Sequence, residues 1–214
     1  MHLWMRKNNL MRQIVEIKKL TGGRYLVTLD DGICFPLYNK ELDEFNIEEE
    51  GILEEEVFCQ IMQEVLPKRA KLCAMHHLEK MDRTEYQLRT KLNSLKYPEQ
   101  IVAEAVSYVK KFRYVDDVRY AVNYLEYRKD SKSMRQLEQE LYQKGISKET
   151  YRMALEEIEA PDEEAQIRQL LKKKNYRPGE TDRKETGKIF NFLLRKGYSM
   201  SSIQHVMHTD SLYD

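Results

Sequence analysis

Cys73, His76 and His77 lie within five residues of one another, and on a helix side chains three or four apart share a face. A thiolate and imidazoles at that spacing are a zinc-ligand pattern. His205 and His208 repeat the three-residue spacing near the end of the chain. A structural zinc site needs four ligands, and no further set of ligands accompanies either group. The packing reading is therefore preferred, with Cys73 as a small core residue, the histidines partly exposed, and neither metal nor cofactor expected. The acidic runs Glu48-Glu49-Glu50 and Glu54-Glu55-Glu56 read as solvated, helix-starting segments rather than cation sites. No phosphate-binding glycine loop, no H-E-x-x-H and no nucleophile elbow occurs, so no catalytic constellation is expected.

The basic residues are more informative. Arg83, Arg89 and Lys91 form one group, Arg119, Arg128, Lys132 and Arg135 a second. Lys172-Lys173-Lys174, Arg183, Lys184, Arg195 and Lys196 form a third. Tyrosines are interleaved with them, among them Tyr114, Tyr120, Tyr124, Tyr127 and Tyr142. Such interleaving suits phosphate contact with base stacking, and equally suits anchors of a protein interface. Many of these cations alternate with acids at helical spacing, which is also the pattern of a salt-bridged solvated face. For Tyr120, packing within its helical unit is the expectation.

The 36 Lys plus Arg are matched by 36 Asp plus Glu, which excludes a simple polycation that coats nucleic acid. The balance is not uniform. Residues 1–66 carry seven basic against thirteen acidic residues, and residues 67–214 carry 29 against 23. Gly and Pro are few, 8 and 5 in 214 residues, which favours long helices over a turn-rich β fold. Three cysteines without patterned spacing make a disulfide framework unexpected. No signal-peptide core and no apolar run of membrane-spanning length is evident, so a cytoplasmic protein with no membrane partner is expected.

The elements that position these residues follow from periodicity. Residues 12–19, 24–30 and 33–37 read as three short antiparallel strands, joined by turns at Thr21-Gly22-Gly23 and Asp30-Asp31-Gly32. A short helical stretch lies within 38–53. Val57, Phe58, Ile61, Met62 and Val65 give the apolar stripe of a linking helix, after which Pro67 permits a new helix. Beyond it the chain repeats. Leu88, Leu92 and Tyr97 align with Leu137, Leu141 and Ile146, and again with Ile189, Leu193 and Tyr198. Pro98, Ser147 and Ser199 then open the following helix, in which Val102, Tyr151 and Ile203 correspond, as do Val106, Leu155 and Met207. A helix upstream of each anchor, over about 68–80, 116–129 and 161–174, completes a three-helix unit. The expected fold is thus mainly α, with three tandem three-helix repeats stacked as a curved, elongated rod. They follow a small β element. The expected divisions are 1–66, 67–115, 116–160 and 161–214. Gly145 and Gly197 stand where a positive φ is wanted, while the first copy has Lys96 there.

Three strings resemble the RecX family of bacterial regulators of the recombinase RecA. They are Ala74-Met-His-His-Leu78-Glu-Lys-Met-Asp82-Arg83-Thr84-Glu85-Tyr86-Gln87-Leu88, then Tyr114-Val115-Asp116-Asp117-Val118-Arg119-Tyr120-Ala121, and Lys188-Ile189-Phe190-Asn191-Phe192-Leu193-Leu194-Arg195-Lys196-Gly197-Tyr198. Arg113 departs from the glycine the family pattern places before Tyr114. The resemblance spans about residues 12–208. It implies a monomeric, non-enzymatic regulator that lies in the groove of the RecA filament on single-stranded DNA. It would inhibit filament growth, ATPase and recombination, and so act on DNA repair and the SOS response, with at most weak direct DNA contact. The residues expected on the binding face are Arg83, Arg89, Arg119, Arg128, Lys132, Arg135, Lys172, Lys173, Arg195 and Lys196. The competing readings are a stand-alone nucleic-acid-binding protein with helix-turn-helix-like repeats, and a metal-dependent enzyme built on Cys73, His76 and His77.

Overall fold

The computed structural model describes residues 11–207, and they fall into two compact units divided between Val115 and Asp116. The first unit opens with an antiparallel sheet of strands β1 (Arg12–Lys19), β2 (Arg24–Leu29), β3 (Cys34–Tyr38) and β4 (Ile52–Leu53), in the order β3-β2-β1-β4. Three of these are the expected strands. The fourth pairs Leu53 with Arg12 and Ile52 with Gln13, and two residues are too few to show a period of two. Pro36 sits in β3 at the sheet edge, where the missing N–H leaves no ladder bond unmade. A short helix α1 (Asn39–Glu44) connects β3 to β4.

Helix α2 (Glu55–Gln60) does not end before Pro67. It passes through a π turn at Ile61–Val65 directly into α3 (Leu66–Lys80), with helical dihedrals throughout. Pro67 cannot donate to the carbonyl four residues back, and a locally widened register accommodates that loss without ending the helix. The linking helix and the first helix of the first repeat are therefore one element.

The sheet packs on this long helix. Ile14, Val27, Leu29, Phe35 and Leu37 share one buried cluster with Phe58, Ile61, Leu66, Ala70 and Ala74, and with Leu88, Leu92, Val102 and Val106 of α4 (Glu85–Ser94) and α5 (Glu99–Lys111). The β element thus covers the apolar end of the first repeat rather than forming a core of its own. Two arginines fasten it. Arg12 lies over the Phe58 ring at 3.9 Å and pairs with Asp31 at 3.3 Å and with Glu55. Arg69 of α3 donates to the Pro36 carbonyl and to Tyr97 Oη at 3.2 Å, and pairs with Glu41.

The second unit contains two further repeats. In the second, α6 (Asp117–Arg128), α7 (Met134–Gln143) and α8 (Lys148–Glu156) enclose Ala121, Leu125, Leu137, Leu141, Ile146, Tyr151 and Ala154. In the third, α9 (Glu163–Lys173), α10 (Arg183–Arg195) and α11 (Met200–Met207) enclose Ile167, Leu171, Ile189, Phe190, Leu193, Tyr198, Ile203 and Met207. The anchor correspondences hold in all three copies. One downstream correspondence does not: Leu155 faces solvent at 36% exposure, while Val106 and Met207 are buried, and Ala154 takes the inward position in α8.

Helix starts follow capping chemistry. Thr84 Oγ1 accepts from Gln87 N and Thr84 N donates to Gln87 Oε1, a complete capping box. Ser133, Ser147 and Asp162 accept from the backbone three residues on. Helix α10 starts on Asp182, whose carboxylate accepts from Lys184 N. The turn after the second helix of each repeat has a left-handed residue, with φ of +85° at Gly145, +87° at Gly197 and +68° at Lys96. Glycine adopts this conformation freely, and lysine at a cost of about 1–2 kcal/mol. Gly197 is constrained further. A Cβ there would stand 2.9 Å from Arg135 Cβ and 3.0 Å from Ser133 Oγ. Beside this close approach, Ser133 Oγ donates to the Lys196 carbonyl, Gln166 Nε2 donates to the Lys129 carbonyl, and Tyr198 Oη donates to Gln166 Oε1 at 3.1 Å. Polar bonds to main chain thus join the second and third repeats.

Candidate interaction surface

The basic and aromatic side chains are ordered by the helices that carry them. Along α6, Tyr120, Tyr124 and Arg128 recur every four residues, and along α7 Gln136 and Glu140 do the same, followed by Lys144 just past its end. Packing α6 beside α7 brings the two rows together. Tyr124 Oη donates to Glu140 Oε2 at 2.6 Å, and Lys132 Nζ pairs with Glu140 Oε1. The Tyr124 ring carries Arg128 Cζ at 4.8 Å and Lys144 Nζ at 5.3 Å, and Tyr120 stacks on it at 6.2 Å and 15°. Two cations held over one ring are a cation–π arrangement. Burial and the bond to Glu140 push the Tyr124 phenol up to about 12. The hydrogen bonds from Lys132 and from Tyr124 itself hold the Glu140 carboxyl below the usual range. Tyr120 is half-buried against the repeat's core, in keeping with a packing role.

The third repeat has a related arrangement. Lys174 Nζ stands 4.9 Å and Lys196 Nζ 5.4 Å from the centre of the Phe192 ring. Lys172 and Lys173 are exposed at the end of α9 and make no ion pair among the described residues. Arg195 is exposed, its Nε donating to the Asn191 carbonyl at 3.4 Å. Arg135 is exposed and lies against Gly197, beside Lys196. Arg128 and Lys132 therefore converge around Tyr124, and Arg135 and Lys196 converge where the second repeat meets the third. Arg119 is exposed on the first turn of α6.

In the first unit, Arg89 is committed to ion pairs with Glu85 at 2.9 Å and Glu99 at 3.2 Å, tying α4 to α5. Arg83 lies between α3 and α4. Its Nε is buried and has no hydrogen-bond partner among the described residues. Lys144, which completes the contacts of Tyr124, is not among the cations singled out by sequence, and Lys174, which belongs to the third basic group, is not among the residues expected on the binding face. The four-residue step from Tyr124 to Arg128 was the signal that could have found such contacts.

Cys73 is half-buried against the core, and burial pushes its thiol up. His76 and His77 stand with ring centres 6.1 Å apart, and His76 Nδ1 lies 3.9 Å from Glu79. His205 Nε2 lies 3.8 Å from Glu164, while His208 falls outside the described residues. Among the described residues, no three His, Cys, Asp or Glu side chains come together as a metal ion would need, and no helix is long and apolar enough to cross a membrane.

The division into units also relocates the charge. Residues 67–115 carry eleven Lys plus Arg against five Asp plus Glu, whereas residues 116–214 carry eighteen of each. The whole basic excess of the helical region belongs to the first repeat.

Three family models match the chain in order: the first three-helix domain of RecX over residues 70–108, the second over 116–155 and the third over 162–207. Together they cover more than half of it. A "Regulatory protein RecX" from Clostridium perfringens (strain SM101 / Type A) is 27% identical over 188 residues, covering 86% of this chain and 89% of the relative. One from Caldanaerobacter subterraneus is 28% identical over 194 residues, covering 90% and 96%. A crystal structure of a regulatory protein RecX superposes with a TM-score of 0.60 at 24% identity, covering 92% of this chain and 99% of that one. The RecX of Lactobacillus salivarius superposes at 0.56 and 21% identity, covering 69% and 97%. The three consecutive domain matches establish that the chain belongs to the RecX family.

Proposed function

We propose that this protein regulates the bacterial recombinase RecA by binding the RecA filament on single-stranded DNA, and that it inhibits filament growth, ATPase and recombination. It does so as a cytoplasmic monomer and by occupancy alone, with no chemistry of its own. DNA repair and the SOS response are the processes it would restrain. Membership of a family whose curated relatives are named regulatory proteins supports this reading. The observation that carries it is the recurrence of cations over aromatic rings, at Tyr124 in the second repeat and Phe192 in the third. Arg, Lys and aromatic groups spaced by a helical repeat can engage a partner that is itself a helical repeat of protein and phosphate.

Reversing Arg119 and Arg135 to Glu together tests the face. Inhibition of RecA's DNA-dependent ATPase is expected to weaken about tenfold or more, as for loss of charged contacts in an interface. Unchanged inhibition by a variant with wild-type circular dichroism would remove both residues from the binding face. A second reading, direct nucleic-acid binding, draws support from the basic excess of the first repeat. It predicts binding to bare DNA that falls steeply with salt.

A further inference from the structure

The repeats share one framework, so positions can be compared across them. Ala74 and Leu78 of α3 correspond to Ala121 and Leu125 of α6, which sets His77 against Tyr124. Thr84 and Ser133 are the N-caps of α4 and α7, which sets Arg83 against Lys132. Leu92 and Leu141 are both fully buried anchors, which sets Lys91 against Glu140. In the second repeat these three positions form a closed network, with Glu140 accepting from Tyr124 and pairing with Lys132. In the first repeat they are His77, Arg83 and Lys91. The acid is absent and a lysine stands in its place.

The consequences are visible on the first repeat itself. Arg83 Nε is buried and unpartnered, and neither Lys91 nor Lys80 has an acid partner among the described residues. Burial first, and then the neighbouring Arg83, Lys91, His76 and Lys80, oppose protonation of His77. Arg24 of β2 reaches the end of α4 and donates to the Leu95 carbonyl at 3.1 Å. Glu79 stands only loosely beside His76, at 3.9 Å. A buried guanidinium N–H without an acceptor is costly, and neighbouring cations raise that cost.

We propose that the His77–Arg83–Lys91 cluster of the first repeat is a phosphate-binding site, in which a backbone phosphate of a single nucleic-acid strand takes the place that the Glu140 carboxylate occupies in the second repeat. A guanidinium and an ammonium that both act on the His77 ring are the donor types that suit a phosphate oxygen. The eleven-to-five basic excess of residues 67–115 favours a polyanion over one acidic side chain. This deepens the proposed function by giving the first repeat a DNA contact within the filament.

The test copies the second repeat into the first. The full chain is titrated into a labelled single-stranded oligonucleotide, read by fluorescence anisotropy at about 50 mM salt, where phosphate contacts are strong. Lys91→Glu supplies Arg83 with the missing carboxylate and is expected to weaken binding about tenfold, as for a charge-assisted bond lost, with thermal stability unchanged or raised. Lys91→Gln, which adds no charge, is expected to lower the slope of log affinity against log salt by about 0.7. Lys111→Glu makes the same change of net charge at the exposed end of α5 and is expected to weaken binding less than threefold. Equal losses from Lys91→Glu and Lys111→Glu would overturn the site, leaving only a diffuse field. Tighter binding of a labelled poly-glutamate peptide than of the oligonucleotide would overturn the choice of nucleic acid. Capture on RecA filaments is scored separately. A chain that keeps filament capture but shows no Lys91 effect loses this site and keeps the proposed function, and the converse result does the reverse.

Discussion

The first and second repeats bury the same apolar pattern and start their second helices on the same capping chemistry, yet they treat charge in opposite ways. The second closes its cations onto Glu140 and beneath Tyr124. The first leaves Arg83 Nε without an acceptor among the described residues and places Lys91 where the acid would be. A shared fold therefore does not imply a shared surface. Each repeat can be specialised by a few positions that do not touch the core. The turns teach the same lesson: Gly145 and Gly197 meet the left-handed conformation without cost, and Lys96 meets it with strain.

That comparison can be broken most severely at Gly197. Replacing it with Ala imposes a side chain at a φ of +87° and drives a Cβ to 2.9 Å from Arg135. Unfolding in denaturant should show a loss of about 2–4 kcal/mol, combining backbone strain with overpacking. A loss below about 0.5 kcal/mol would mean that the close approach of the second and third repeats has no energetic weight. Glu140→Ala should cost about 1–2 kcal/mol in the same measurement, because Lys132 and the Tyr124 hydroxyl lose their shared acceptor. In the opposite direction, Lys96→Gly should raise stability by about 0.5–1 kcal/mol, the relief of left-handed strain less the added freedom of the unfolded chain.

The smallest effect concerns pH. Tyr124 has its pKa raised to about 12 from 10.0. The neutral phenol is thus favoured by the fold, and its contribution is fully present below pH 10 and lost as pH rises towards 12. Difference absorbance between the wild type and Tyr124→Phe should show one phenol ionising near 12. In Glu140→Gln that ionisation should move back towards 10. A Tyr124 that titrates unchanged without Glu140 would mean burial alone sets its pKa.

Much of this was legible in residue order. Leu88, Leu92 and Tyr97 announce their counterparts at Leu137 and Ile189 because buried positions on packed helices must recur with the helical period. The three longer strands were legible for the same reason, with period two. The π turn was not, because Val57 to Val65 and Leu66 to Ala74 each read as good helix, and only the packing decides whether Pro67 ends or merely widens it. Leu155 aligns with Val106 and Met207, yet it is exposed in the structure while its neighbour Ala154 is buried, like the equivalent Ala105. Of the candidate surface, the cations were visible as types. Their partners were not: Arg89 bound by two acids, and Arg83 bound by none among the described residues, follow from side chains brought together across helices.

The proposed function requires that the chain recognise a recombinase filament rather than DNA alone. Co-sedimentation at about 150 mM salt, where exposed electrostatics are screened beyond roughly 8 Å, tests it directly. The wild-type chain is mixed with RecA assembled on single-stranded DNA, with RecA lacking DNA, and with the same DNA alone. The chain should pellet with the assembled filament and stay largely in the supernatant in the other two mixtures. Equal recovery on bare DNA and on filament, or none on filament, would contradict it.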